Sequence, residues 1–385
     1  MFKLLLIVYF LITMAAAPVL ANTEVDVRWY LMNGENVITA ITSVDLHQYL
    51  TLNMGIAAHG KMENKMPFTV NVQQLGIQFG NSQLRFFAGK QPISIATAQI
   101  NPVFLHPSGP AFPNVGYSIN YRTLSYSKIY GDLSTDENYK RVGIHYLKWQ
   151  PTPRLSMGIG EAVVFSHPFD GDLYFYTLPL LPYYFAKYMP GIPTSYDNTL
   201  FYGDGIWHLP WLTLYGELLV NEFPMTPTNK NPKLYAITLG MELETIVAGW
   251  DLLLEYSHVT DQAYSNAIKS NIFSYGDDSL GHPIGDDLTA IDARLSKYIS
   301  QIDTDTYFGV YYQRLGNISV TPWINEEKQV TPEQEYGVKL GFTHQLNQVD
   351  FGFDLQLGWV SDYQHQENNH GYRTSAVVRA TWQLP

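Results

Sequence analysis

The stretch YAITLGMELETIVAGWDLLLEYS, Tyr235 to Ser257, decides the fold class. Taking every second residue separates Tyr235, Ile237, Leu239, Met241 and Leu243 from Ala236, Thr238, Gly240, Glu242 and Glu244. Beyond Ala248-Gly249 the alternation resumes, with Trp250, Leu252, Leu254 and Tyr256 opposing Asp251, Glu255 and Ser257. Successive side chains of a strand point to opposite faces, so this is a hairpin with one apolar and one polar face. Periodicity alone does not say which face is inside. A soluble sandwich or propeller turns the apolar face inward, whereas a membrane barrel turns it outward to lipid.

Neighbouring runs favour the barrel. Val349, Phe351, Phe353, Leu355, Leu357 and Trp359 alternate with Asp350, Gly352, Asp354, Gln356 and Gly358, in phase over eleven residues. A tilted strand needs about 9–11 residues to cross a bilayer, and soluble strands are usually about half that long. The final run places Tyr372, Thr374, Ala376, Val378, Ala380, Trp382 and Leu384 on one face; Val25, Val27, Trp29 and Leu31 do the same ahead of an Asn33-Gly34 hairpin turn. Aromatics make up 14% of the chain, with 28 tyrosines, a composition suited to the wet edges of a bilayer. Closure also removes the edges that so large a sheet would otherwise have to protect. The expected fold is an all-β transmembrane antiparallel barrel of roughly 16–18 strands, at about 20 residues per strand with its turn. Its apolar face meets outer-membrane lipid, and Glu242, Glu244, Asp251 and Glu255 line a polar lumen.

The N-terminus fits export. Lys3, an apolar stretch from Leu4 to Met14 and the small residues up to Val19-Leu20-Ala21 read as a signal peptide over 1–21, leaving a barrel domain over 22–385 destined for the bacterial outer membrane. The alternative is an uncleaved anchor, since Leu4 to Ala21 nearly spans a bilayer. The most apolar later stretch, LYFYTLPLLPYYFAKYMP, contains Pro179, Pro182, Pro190 and Lys187 and cannot be a spanning helix. There are no cysteines, so neither disulfides nor thiolate metal sites arise. A net charge of −12 argues against nucleic acid as a partner.

Several segments carry more than generic patterning: VGIHYLKWQPTPRLSMGIGEAVVF (Val142 to Phe165), SYDNTLFYGDGIWHLPWLTLYGELLVNEF (Ser195 to Phe223) and LGHPIGDDLTAIDARLSK (Leu280 to Lys297). Within them stand Gly160-Glu161-Ala162, Asp197-Asn198, Gly203-Asp204, Tyr215-Gly216-Glu217, Asn221-Glu222-Phe223 and Leu280-Gly281-His282-Pro283. This ordered set resembles the capsule-assembly Wzi family of bacterial outer-membrane proteins, over roughly Leu84 to Lys297. The resemblance implies a large outer-membrane barrel that binds surface polysaccharide without catalysis and helps retain the capsule. The chain departs from the family where a Gly-Arg and Trp-Gly-Pro-Gly type segment is usual. FAGKQPISIATAQINPVFLHPSGPAFPNV stands there instead, keeping only Gly89-Lys90 and a proline-rich loop. No helical plug precedes the first strand.

The same segments supply the candidate glycan site: Glu161, Asp197, Asn198, Asp204, Glu217 and Glu222, with Tyr183 and Tyr184 to stack on sugar rings. Arg122 and Lys187 are the cations that would temper repulsion of an acidic polymer. The competing reading is that these polar residues hydrogen-bond one another and hold the wall in shape. Asp197, Asp204, Glu217 and Glu222 are also the material of a glycosidase pair, but acidic residues are the expected lining of a barrel, and no nucleophile elbow is present. The expectation is therefore no enzyme, no cofactor and no metal. Asp277-Asp278 and Asp286-Asp287 read as solvated loop charge, His145 and His344 as polar wall residues, and His365 and His370 as part of a last surface loop. The Tyr- and Pro-rich stretch at 173–193 is long enough to fold inward and block the lumen. A porin or uptake channel is the alternative function, and a secreted carbohydrate-active enzyme a further one.

Overall fold

The computed structural model describes residues 23–32, 35–61, 69–135, 139–166, 182–183, 197–221, 234–320 and 330–384. The first strands are β1 (Thr23–Met32), β2 (Glu35–His47), β3 (Leu50–Lys61), β4 (Thr69–Gly80), β5 (Leu84–Gln91), β6 (Phe112–Tyr121) and β7 (Leu124–Asp132). Next come β8 (Arg141–Thr152), β9 (Leu155–Phe165), β10 (Asn198–His208), β11 (Leu212–Asn221), β12 (Tyr235–Val247) and β13 (Trp250–Val259). A two-stranded ribbon, β14 (Ser274–Tyr275) and β15 (Asp278–Ser279), interrupts the series. The chain continues with β16 (Leu288–Ile299), β17 (Thr304–Leu315), β18 (Glu333–Leu346), β19 (Val349–Ser361) and β20 (His370–Leu384).

Apart from the ribbon, every strand pairs antiparallel with its chain neighbours in one 18-stranded sheet. Pairing of Thr23 with Leu384 through Met32 with Ser375 joins β1 to β20 and closes the barrel. Strands of 8 to 15 residues have the length a tilted membrane crossing requires. One end of the barrel carries both Thr23 and Leu384 and the connections 48–49, 81–83, 122–123, 153–154, 209–211, 248–249, 300–303 and 347–348. At the other end every connection except 33–34 is longer than any of these. We call these the turn end and the loop end. At 248–249 both Ala248 (φ 53°) and Gly249 (φ 78°) adopt left-handed backbone, the geometry that matches a two-residue turn to the twist of its strands.

The faces fall as the alternation predicts. On β12, Leu239 is 53% exposed and its neighbour Thr238 is 0% exposed; on β13, Tyr256 is exposed while Glu255 and Ser257 are buried. With no other protein layer outside the sheet at these positions, the exposed apolar row faces lipid and the buried polar row faces the lumen. Leu75, Ile77, Phe79, Phe86, Ile159, Phe308, Leu340, Phe342, Phe351 and Leu357 extend that row around the wall. Exposed Tyr121, Trp149, Trp207 and Trp211 gather towards the turn end, and Tyr336, Trp359 and Tyr372 towards the loop end. Rings with one apolar and one wet side settle at these two levels of a bilayer.

Candidate functional site

Two connections of the loop end, 92–111 and 260–287, turn back into the lumen. The first is tied to the wall through backbone N–H groups. Thr97, Ala98 (2.6 Å) and Val103 (2.8 Å) donate to the Glu217 carboxylate of β11, and Gln99 (3.0 Å), Ile100 (3.2 Å) and Asn101 donate to Glu255 of β13. Both carboxylates are 2% exposed. A buried charge is tolerable only when its lone pairs are filled, and a run of converging N–H groups fills them. Tyr215 adds its hydroxyl to Glu255 at 2.7 Å, a reach made possible by Gly240, where a Cβ would lie 2.1 Å from the Tyr215 ring. The Asn101 side chain donates to Asp292 at 2.8 Å, and Lys339 pairs with the same carboxylate at 2.5 Å. The Thr238 hydroxyl donates to the Asn101 carbonyl at 2.6 Å.

The second connection packs on the first. Leu105 N–H donates to the Leu280 carbonyl at 3.0 Å, and the Tyr264 hydroxyl to the Val103 carbonyl at 2.9 Å. Phe104 stacks on Tyr202 of β10 and on Phe273, with centroids 4.6 and 5.7 Å apart. These side chains join lumen-facing Ile129, Ile144, Ala162, Leu200, Leu219, Ala236, Val259, Leu288 and Leu315 in one apolar cluster. A lumen that the alternation marks as polar is thus apolar over the upper part of β7 to β17, because it has a core to pack against.

Of the two acidic doublets of the second connection, Asp277-Asp278 is exposed, as solvated loop charge should be, whereas Asp286-Asp287 belongs to the core, which corrects the expectation there. Asp286 is buried, accepts the Tyr264 N–H (3.0 Å) and the Ser265 hydroxyl (3.2 Å), and burial pushes its carboxyl well above the usual range. Asp287 accepts the Asn317 N–H at 3.0 Å and pairs with Arg314 at 3.3 Å. Burial, with His106 nearby, lowers His282 to about 3, so its ring is neutral. By contrast 362–369 lies at the loop end with Gln364, Gln366, Glu367 and Asn368 exposed, while His365 is half-buried with its ring 2.9 Å from the Thr331 carbonyl, and His370 opens β20 and is not part of the loop.

The candidate glycan residues do not form one site. Asn198, Asp204 and Glu217 face the lumen: the Asn198 amide donates to the Asn271 carbonyl at 2.9 Å, and the Tyr146 hydroxyl donates to Asp204 at 2.7 Å. Glu161 shares the outward parity of exposed Met157 and Ile159 and lies on the outside of the wall. There Lys128 of β7, His145 of β8 and Glu161 of β9 are register neighbours in one row. All three are covered by Tyr183, whose N–H donates to Glu161 at 2.7 Å, whose ring stacks on His145 at 4.6 Å and lies 4.4 Å from the Lys128 ammonium. His145 meets Glu161 at 3.1 Å, and Val163 and Phe165 of the same outward row pack on Tyr183. Asp197, half-buried, precedes β10 with the same outward parity. Arg122 lies in the turn-end connection 122–123, at the opposite end from the other candidates. Glu222, Tyr184 and Lys187 lie outside the described residues, as does most of 173–193, so the expectation that this stretch blocks the lumen falls on residues outside the description; Tyr183 itself packs outside the barrel, and 92–111 and 260–287 enter the lumen.

Neither a protein-family model nor a curated protein sequence matches the chain. Solved structures do. Wzi of Escherichia coli, described as an outer-membrane protein involved in group 1 capsule assembly and a carbohydrate-binding β-barrel, aligns over 96% of this chain and 86% of its own at TM-score 0.67 and 11% identity. OccK5 (OpdH) of Pseudomonas aeruginosa aligns over 95% and 98% at TM-score 0.55 and 9% identity. OprD of the same organism aligns over 94% and 95% at 0.54 and 10%. At such identities the likeness is one of fold, and the fold is that of outer-membrane β-barrels.

Proposed function

We propose that this chain is a non-catalytic outer-membrane barrel that binds surface polysaccharide at its loop end and helps hold it on the cell. The observation that carries the reading is the core inside β7 to β17: connection 92–111 is anchored there by six backbone N–H groups on two buried carboxylates, and 260–287 packs on it. A wall built around a pinned core serves a binding scaffold better than a wide channel. The carbohydrate binding described for Wzi supports the same choice. Catalysis by Glu217 and Asp204 is disfavoured, because a carboxylate holding three N–H groups is not available to move a proton. Longer connections of outer-membrane barrels face the exterior, so the loop end is the face presented to polysaccharide. The glycan site we assign there centres on the β9–β10 rim, where Asp197 precedes Asn198, the register partner of Val164, and Tyr183 packs on Phe165, with Tyr184 next to Tyr183 and Glu222 next to Asn221 in sequence, and Asn198, Asp204, Glu217 and Glu161 as its supporting wall.

Replacing Asp197 by alanine, and separately Tyr183 and Tyr184, should leave heat-modifiable migration intact while cells release polysaccharide into the medium. Full retention by every variant would overturn the assignment. A second reading, a channel for small solutes or saccharides, is favoured by one observation: lumen-facing Arg28, Gln74, Arg373 and Arg379, on the wall away from the core, stay half-exposed. Conductance separates the two.

A further inference from the structure

A cavity of about 220 Å³ lies inside the barrel beside the inward-folded segment, lined by Gln78, Arg85, Phe87, Gln91, Pro92, Ile93, Ser94, Ile95, Ser118, Ser127 and Ile129. Its wall residues all share the lumen parity of β4 to β7: Arg85 stands between exposed, lipid-facing Leu84 and Phe86 and is matched in register by Gly80 and Ser118. Arg85 is the second residue of β5, so the cavity has its charged group close to the turn end, away from the glycan rim assigned above. The Arg85 guanidinium is exposed and has no ion-pair or hydrogen-bond partner among the described residues, and no lining residue is acidic. In a chain with 35 acidic and 23 basic residues, several other lumen cations are paired with carboxylates: Arg28 with Asp26, Lys339 with Asp292, and Arg373 with Glu333 and Glu335; Arg294 and Arg379 bond neutral Gln99 and Thr343.

We infer that this cavity is a binding site for a single sugar acid, with the ligand carboxylate on Arg85. A guanidinium presents two parallel donors to a carboxylate, and an unpaired one in a carboxylate-free pocket has that capacity free. Gln78, Gln91, Ser94, Ser118 and Ser127 supply donors and acceptors for ring hydroxyls, and Phe87, Ile93 and Ile95 an apolar surface for a ring face. Drug-sized ligands occupy roughly 300–1,000 Å³, so the volume here suits one sugar unit, either free or at the end of a chain. The inference does not rest on polysaccharide binding at the loop end.

The test is calorimetric titration of the purified full-length barrel in detergent with sodium D-glucuronate, with D-glucose as the uncharged control and an oligosaccharide ending in glucuronate as a further ligand. Saturable glucuronate binding is expected, at least tenfold weaker in Arg85→Gln, partly kept in Arg85→Lys, and at least tenfold tighter than glucose. Ser127→Leu, which fills the cavity without touching the charge, should abolish binding and serves as the deciding variant if Arg85→Gln fails to show heat-modifiable migration. Whichever of the two acids binds tighter identifies the source, and either order supports the site. Absence of saturable glucuronate binding, equal binding by glucose, or unchanged affinity in the folded variants would overturn it. The cavity lies towards the turn end, so loss of surface polysaccharide in the loop-end variants bears on the loop-end reading alone.

Discussion

The outer wall differs between β17–β20 and β7–β9. On the first sector, the outward rows hold Phe308, Val310, Leu340, Phe342, Phe351, Leu357 and Val378, all exposed, with Tyr336, Trp359 and Tyr372 at the loop-end level. On the second, the outward row carries Lys128, His145 and Glu161, and the two charged members are 1% and 3% exposed. Lipid can cover the first sector and cannot cover the second, because a lipid-facing charge near the midplane costs about 2–4 kcal/mol. The chain itself covers the second, with Tyr183 closing over the row. Outward parity therefore marks lipid contact only where nothing else lies on the wall. Where charges interrupt an apolar row, they mark a place where another part of the chain docks.

This contrast can be broken in several ways. The largest effect is expected at Glu161. Glu161→Leu makes the row more lipid-like, yet it removes the acceptor of the Tyr183 N–H and leaves the buried Lys128 ammonium uncompensated, a loss of about 3–5 kcal/mol. The double variant Lys128→Met, Glu161→Leu should recover most of it, measured as urea midpoints in detergent with a double-mutant cycle. Equal destabilisation by the single and double variants would mean that the row is not coupled. On the other sector the same chemistry runs in reverse. Leu355→Arg, outward at the middle of β19, should cost about 2–4 kcal/mol and block assembly, while Gln356→Arg, one residue on and facing the lumen, should assemble like the parent. Matched failure of both would contradict the assignment of faces.

A smaller and graded effect should follow pH through the core. His282 titrates near 6.5 when unfolded and is lowered to about 3 when folded. Its contribution is complete above about pH 6.5 and is lost as pH falls towards 3, because the unfolded state takes up the proton first. Asp286 has the opposite sign: raised on folding, it contributes fully at low pH and less as pH rises through its folded value. Between pH 6.5 and 4, stability should therefore fall by at most about 1.4 kcal/mol per pH unit from His282. His282→Gln should flatten that slope; an unchanged slope would remove the histidine from the account.

The strands were legible because alternation, turn residues and length agree along the wall, and the outward face followed from runs such as Val349–Trp359. The contents of the barrel were harder to read. Sequence reading singles out the Tyr- and Pro-rich 173–193 and passes over 92–111, the stretch that enters the lumen, whose Ile93, Ile95, Ile100, Val103, Phe104 and Leu105 are too apolar for a solvated connection. The signal in the sequence is a connection with the composition of a core. The face of Glu161 was likewise readable, since Met157, Ile159, Glu161, Val163 and Phe165 keep one parity. What parity could not supply was the long-range pairing of Glu217 and Glu255 with backbone N–H groups more than 100 residues away. Backbone donors leave no trace in side-chain pattern, so acidic lumen residues read as lining when they are anchors.

The lumen holds a pinned core, and the proposed binding role requires that this core keep it from conducting as a wide pore. Single-channel recording of the purified protein in planar bilayers, alongside Glu217→Ala and Glu255→Ala variants, tests it most directly. The account predicts small or rare conductance for the parent and a clear rise, with flickering steps, when either anchor is removed. Steady, large, porin-like steps from the parent, unchanged in the variants, would contradict it.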